Sequence, residues 1–130
     1  MCRARAGDQH VGMAIDPDLT RFRDEDPGGP VVMLNLLRFA DDGRRLYAEY
    51  GRHLRETLLP RYGASIVYAG SGSTALVAAD GQAWDAVVVV SYPDRATFAR
   101  MVADPEYLAV AALRTEALTE TVLQATIPWG

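Results

Sequence analysis

The chain has 130 residues, of which 49% are hydrophobic and 23% charged, and its formal net charge is −4. That length suits one domain with one core, and the balance is that of a folded globular protein, not a disordered one. An acidic chain with no run of arginines lacks the basic face that nucleic acid requires, and no stretch approaches the roughly 20 apolar residues that span a membrane.

Residues 1–14, with Gly7 and Gly12, show no periodicity and read as a flexible N-terminal arm in which Met13 could be the native start; residues 15–130 are expected to form a single domain. The opening residues lack the apolar core of a secretory signal, so the expected location is the cytoplasm. Asp16 followed by Pro17 carries the signature of an N-cap and first-turn proline, which predicts one short helix holding Leu19 and Phe22 and ending before Asp26. Pro27, Gly28, Gly29 and Pro30 then force a turn.

Val31 to Phe39 (VVMLNLLRF) reads as a strand that is apolar throughout until Arg38, apart from Asn35. After the turn at Asp41, Asp42 and Gly43, residues 44–59 have helical spacing, with Leu46, Tyr50, Leu54 and Leu58 recurring every four residues, and Pro60 and Gly63 mark the end. Ala64 to Ala69 is a second strand, followed by the Gly70-Ser71-Gly72-Ser73 turn and an extended hairpin arm, Thr74 to Ala79, closed at Asp80-Gly81. Asp85 to Tyr92 (DAVVVVSY) is the strongest strand. Pro93 and Asp94 open a short helix, and Asp104-Pro105 restart it as a second piece whose shared face holds Tyr107, Val110, Ala111, Arg114 and Leu118. Thr121 to Ile127 is the last strand.

The order is α+β, a ferredoxin-like βαββαβ fold with a four-stranded antiparallel sheet, decorated by a short N-terminal helix and a hairpin arm. Its strand order, 4-1-3-2, puts the two most apolar segments, VVMLNLL and AVVVV, at the centre. A sheet covered on one face should alternate apolar and polar residues. These strands do not, and no helices remain for the second face, so an identical partner is expected to cover it; the alternative is shielding by the N-terminal arm.

Taken together, VVMLNLLRF after a Gly-Pro turn, the Tyr-containing helix, GASIVYAG and WDAVVVVSYPDRATFARMVADPEYLAVAALRTEAL resemble a family of short bacterial proteins known only as a domain of unknown function. That family is placed in the dimeric α/β-barrel superfamily. The resemblance spans about residues 16–127, and its most telling pieces are Tyr92-Pro93, Asp104-Pro105-Glu106-Tyr107 and Arg114. It implies a homodimer whose sheets face each other as a barrel, with a pocket in each subunit between sheet and helices. It implies no reaction. Relatives in the wider superfamily include cofactor-free quinone-forming monooxygenases, muconolactone isomerases and haem-handling enzymes, which serve as candidate classes because fold does not carry function.

The candidate catalytic residues are Arg114, Asn35, Tyr92 and Tyr107. Arg114 lies on the helix face that should pack on the sheet, so it is either an anion clamp for a small carboxylate or enolate or a member of an internal ion pair, with Asp85 as the candidate partner. Asn35 interrupts an apolar strand and must find hydrogen bonds; its amide could polarise a substrate carbonyl, as strand asparagines do in some haem-degrading relatives, or bond a neighbouring strand. Tyr50, Tyr92 and Tyr107 bring phenols to the space under the helices, by default as core residues. Tyr50, Trp84 and Asp85 are candidate ligand-binding residues.

Other chemistry is excluded or weak. All thirteen basic residues are Arg, so lysine Schiff bases and lysine general bases are absent, and the lone Cys2 allows neither an internal disulfide nor a Cys-rich metal site. Glu49, His53 and Glu56 have the spacing of a metal site but lack further His or Cys ligands, and a solvated face with i,i+4 pairing accounts for them. No metal and no cofactor is expected; residues 93–120 contain no His to hold a haem. Two functions remain in this order: a cofactor-independent enzyme, monooxygenase or isomerase, acting on a small aromatic or lactone-like metabolite, and a non-catalytic small-molecule-binding or regulatory dimer.

Overall fold

A computed structural model of the chain describes residues 14–130. The expectations on residues 1–13, including Cys2 and a start at Met13, lie outside the described residues. Helix α1 (Thr20–Asp24) is shorter than its Asp-Pro signal suggests. The carboxylates of Asp16 and Asp18 accept the backbone N–H groups of Asp18 and Thr20 at 2.9 and 3.1 Å, and these successive turns keep residues 16–19 out of the helix.

Strand β1 (Val31–Phe39) has the expected bounds. Helix α2 (Gly43–His53) runs on through a π-helical turn, Leu54–Leu58, and a last turn, Leu59–Arg61, so it passes the proline expected to stop it. Pro60 cannot donate to the carbonyl four residues back and its ring crowds it; the wider turn just before it relieves both problems. Gly63, at φ 66°, ends the helix, and the Ala64 N–H returns to the Leu59 carbonyl at 2.9 Å.

Strands β2 (Ser65–Ser71) and β3 (Ala86–Tyr92) follow. Between them the expected hairpin arm is an excursion without strand pairing: Thr74 to Ala79 joins no ladder, and Leu76 and Val77 are exposed. Arg38 on β1 holds this loop, donating to the carbonyls of Ala83 and Gly81 at 2.5 and 2.7 Å. Helices α3 (Arg95–Ala103) and α4 (Pro105–Ala117) begin at Asp94 and Asp104, whose carboxylates accept from Thr97 N–H (2.7 Å) and Glu106 N–H (2.8 Å) as the sequence leads one to expect. Strand β4 (Leu118–Thr126) follows α4 with no loop, so Leu118 is its first residue and not part of the helical face.

The sheet is antiparallel throughout, in the order β2-β3-β1-β4, the ferredoxin-like arrangement with β1 and β3 central. All the longer helices lie on one face. There β1 buries Val31, Met33, Asn35 and Leu37, while its opposite residues, Val32, Leu34 and Leu36, stay half-exposed although equally apolar. Register places Val87, Val89 and Val122 beside them, framed by Arg38, Glu120, Gln124, Ser91 and Thr126. Among the described residues no helix is long and apolar enough to cross a membrane.

The main core joins Val31, Met33, Leu54, Leu58, Leu59, Val90, Phe98 and Met101. Leu58 is 1% exposed, and its truncation leaves a void that α2 cannot close without moving the π-turn. Leu58→Ala should lower unfolding free energy by about 2–5 kcal/mol in equilibrium urea denaturation, with the urea slope unchanged.

Candidate functional site

A cavity of about 370 Å³ lies between the helix-covered sheet face and α2. Its floor is Asn35 and Leu37 of β1 and Ala86, Val88, Val90 and Tyr92 of β3; Tyr107 and Arg114 of α4 and Tyr47 and Tyr50 of α2 close its far side. The most exposed lining residues, Arg44, Ala48, Arg55, Ala69 and Ser71, belong to α2, the π-turn that continues it and β2, which places the cavity's opening between that helix and that edge strand. The size is at the small end of the range for ligand pockets.

Its polar wall is built from one buried contact. Arg114, 4% exposed, donates from Nη2 to Asn35 Oδ1 (3.3 Å) and to Thr121 Oγ1 (3.3 Å). Asn35, 7% exposed, has its amide oriented by a second bond, Nδ2 to the Val88 carbonyl at 3.2 Å, which directs its oxygen towards α4. Thr121 is fixed in turn, its hydroxyl donating to the Leu36 carbonyl at 2.7 Å. Arg114 also interacts with the Tyr47 phenol. Beside this group the hydroxyls of Tyr50 and Tyr107 share a hydrogen bond of 2.9 Å.

The structure thus brings five of the seven named candidates, Arg114, Asn35, Tyr92, Tyr107 and Tyr50, to one cavity. Trp84 and Asp85 do not line it. Trp84 lies under the Arg38 guanidinium, 4.5 Å from ring centre to Cζ, at the root of the excursion. Asp85 is not the partner sought for Arg114: its carboxylate accepts the Phe39 N–H at 2.9 Å and its own N–H donates to the Leu37 carbonyl at 2.9 Å, tying the end of β1 to the start of β3. A carboxylate on the residue just before a strand is well placed to close the ladder, and that local use outcompetes a distant guanidinium. Glu49 and Glu56 pair with Arg45 (4.0 Å) and Arg52 (3.7 Å) along α2. The sequence reading left out Arg44, Gly51 and Arg55; their 44-48-51-55 spacing, one stripe of a helix, is the signal that would have found them.

A family model described as Domain of unknown function (DUF1330) matches residues 36–125. The chain belongs to this family. Its fold is shared by the RPA0582 protein of unknown function from Rhodopseudomonas palustris, 31% identical over 90% of this chain and 98% of that one, with a TM-score of 0.78. A dimeric protein of unknown function with a ferredoxin-like fold from Bacteroides fragilis is 13% identical, covering 75% of this chain and 94% of its own, with a TM-score of 0.51. A putative antibiotic biosynthesis monooxygenase from Caulobacter crescentus is 8% identical, covering 85% and 99%, with a TM-score of 0.52. No curated protein matches the sequence.

In this DUF1330 domain the electrostatics of the cavity run one way. Its described lining holds Arg44, Arg55 and Arg114 and no Asp, Glu or His. Burial pushes the phenols of Tyr47, Tyr50, Tyr92 and Tyr107 above their ordinary value; Arg114 pulls each of them down, and burial wins. Near neutral pH the four are therefore protonated, able to donate a hydrogen bond but not to act as bases. The folded state holds these protons more tightly than the unfolded chain, whose phenols ionise near pH ~10. Their contribution to stability is full below that pH and is lost as pH rises above it. Alkaline titration followed at 295 nm should show the ionisation of these buried phenols coinciding with loss of near-ultraviolet circular dichroism, not preceding it.

Proposed function

We propose that this protein is a homodimer whose cavity binds a small, mainly apolar molecule bearing an anionic oxygen, with Arg114 as the residue that receives that oxygen and Asn35 as the residue that positions Arg114. The observation that carries the reading is the charge of the lining: three guanidiniums and no carboxylate among its described residues, in a chain whose net charge is negative. A guanidinium 4% exposed and bordering an apolar cavity works at low dielectric, where an anion is held more strongly than in water. Tyr50, Tyr92 and Tyr107 supply neutral donors and ring surface around it.

Dimerisation is supported by the other face of the sheet. Val32, Leu34, Leu36, Val87, Val89 and Val122 form an apolar centre inside a polar rim, the anatomy of a protein interface. A second copy placing the same face against it would close the two sheets into an α/β barrel, and the dimeric state named for the Bacteroides fragilis protein agrees with this. Sedimentation velocity should give twice the chain mass, and Leu34→Arg, which sets a charge at the centre of that face, should give monomers that remain folded.

Turnover is a second reading, favoured by the composition of the same wall. Donors without a base stabilise an enolate or phenolate that enters already ionised, which suits a cofactor-independent monooxygenase better than an isomerase, whose proton must be carried between carbons by a base. The monooxygenase description of the Caulobacter crescentus protein is in the same direction. Binding precedes turnover and is what the test addresses. Calorimetric titration with phenylacetate should show binding, weakened about ten- to hundred-fold in Arg114→Gln and less in Arg114→Lys, which keeps the charge. Unchanged affinity in a folded Arg114→Gln variant would remove Arg114 from the site.

A further inference from the structure

We infer that the cavity mouth is a cationic rim, with Arg44 and Arg55 as two separate anchor points about 16 Å apart along the helix, and that the ligand is a dianion: an apolar, ring-sized body with one acidic group for Arg114 and another for an arginine of that rim. This rests on the reading of the cavity as an anion site and adds a second charge to the ligand.

The argument begins with how α2 and its continuation sort their charges. Arg45 pairs with Asp42 (2.6 Å) and Glu49 (4.0 Å), Arg52 with Glu56 (3.7 Å), and Arg61 in the last turn with Asp104 (2.9 Å) and Glu106 (2.7 Å). Arg44 and Arg55 differ. They lie on the stripe that edges the cavity, and among the described residues neither has a carboxylate within ion-pair distance. The carboxylates of this helix have been kept off that stripe, although a single Glu at position 48 or 51 would reach them by i,i+4 spacing.

Both guanidiniums are also held where they can serve. Arg44 stacks on Phe39, its Cζ 4.8 Å from the ring centre, and Phe39 itself lines the cavity. A guanidinium stacked by its face keeps its N–H groups in plane and free to take a carboxylate in fork geometry. Arg55 lies along the helix over Gly51, where a Cβ would stand 3.3 Å from its Nη1. The missing side chain at Gly51 lets that guanidinium rest on the backbone at the opening. Arg114, by contrast, is buried on α4, at the opposite wall. Two cationic ends with an apolar span between them fit a molecule with two acidic ends better than one.

The test compares 1,4-phenylenediacetate with phenylacetate by calorimetric titration of the intact protein. The dianion should bind about tenfold more tightly at low salt, an advantage that shrinks as ionic strength rises because the rim is exposed. Arg44→Gln combined with Arg55→Gln should collapse that ratio towards one, whereas Arg52→Gln, the same charge change at an arginine outside the lining and paired with Glu56, should leave it. Equal affinities in the wild type, or a ratio that survives the double variant, would overturn the second subsite while leaving the first. Absence of binding by both probes would overturn the anion reading itself, and the subsite with it.

Discussion

A guanidinium placed under a helix must find its hydrogen bonds inside the fold, and Arg114 finds them on two strands at once. Asn35 belongs to β1 and Thr121 to β4, which are paired along their length, while Arg114 comes from the helix that leads directly into β4. Each partner is itself fixed by a strand carbonyl, Asn35 by Val88 and Thr121 by Leu36. The contact therefore requires three strands and one helix in register. A buried polar group left unsatisfied costs about 1–3 kcal/mol, so a network of this kind penalises every packing in which α4 is turned or β1 has slipped.

Much of this arrangement was legible in the sequence, for identifiable reasons. β1, β3 and the capped starts of α3 and α4 follow from apolar runs and from Asp94 and Asp104, signals that act within a few residues. The convergence of Asn35, Arg114 and the tyrosines on one space was also readable, because helical spacing puts Tyr107 and Arg114 on the sheet-facing side and an isolated Asn in an apolar strand must have a partner. What failed was competition between local uses of the same group. Asp85 could have answered a distant arginine; the backbone N–H of Phe39 was nearer. Asp16 could have capped a helix at once; with Asp18 it made turns first. Pro60 reads as a stop, yet a π-turn lets the helix continue past it. In each case the residue type was read correctly and the rival geometry was not visible without coordinates.

The tyrosines and arginines of the cavity divide the electrostatic work. Burial alone would make the wall inhospitable to charge, and the phenols respond by holding their protons. The guanidinium cannot respond in that way, since arginine stays charged under all ordinary conditions. The wall is thus a fixed positive charge surrounded by neutral donors. Such a wall presents positive charge and hydrogen-bond donors and, among its described side chains, no group that is basic near neutral pH.

The same strand that carries Asn35 presents apolar residues to both faces of the sheet. Successive residues of β1 point to opposite faces, so Val31, Met33, Asn35 and Leu37 meet the helices while Val32, Leu34 and Leu36 meet whatever lies beyond. With both sets apolar, hydrophobicity alone would allow β1 to slip by one residue, which would exchange its faces at little cost. Asn35 removes that freedom. In the slipped register its amide would lose Arg114 and the Val88 carbonyl and would lie among Val87 and Val89 on the other face. Asn35, the polar residue inside the apolar run of β1, thus fixes which face meets the helices and leaves Val32, Leu34 and Leu36 on the other.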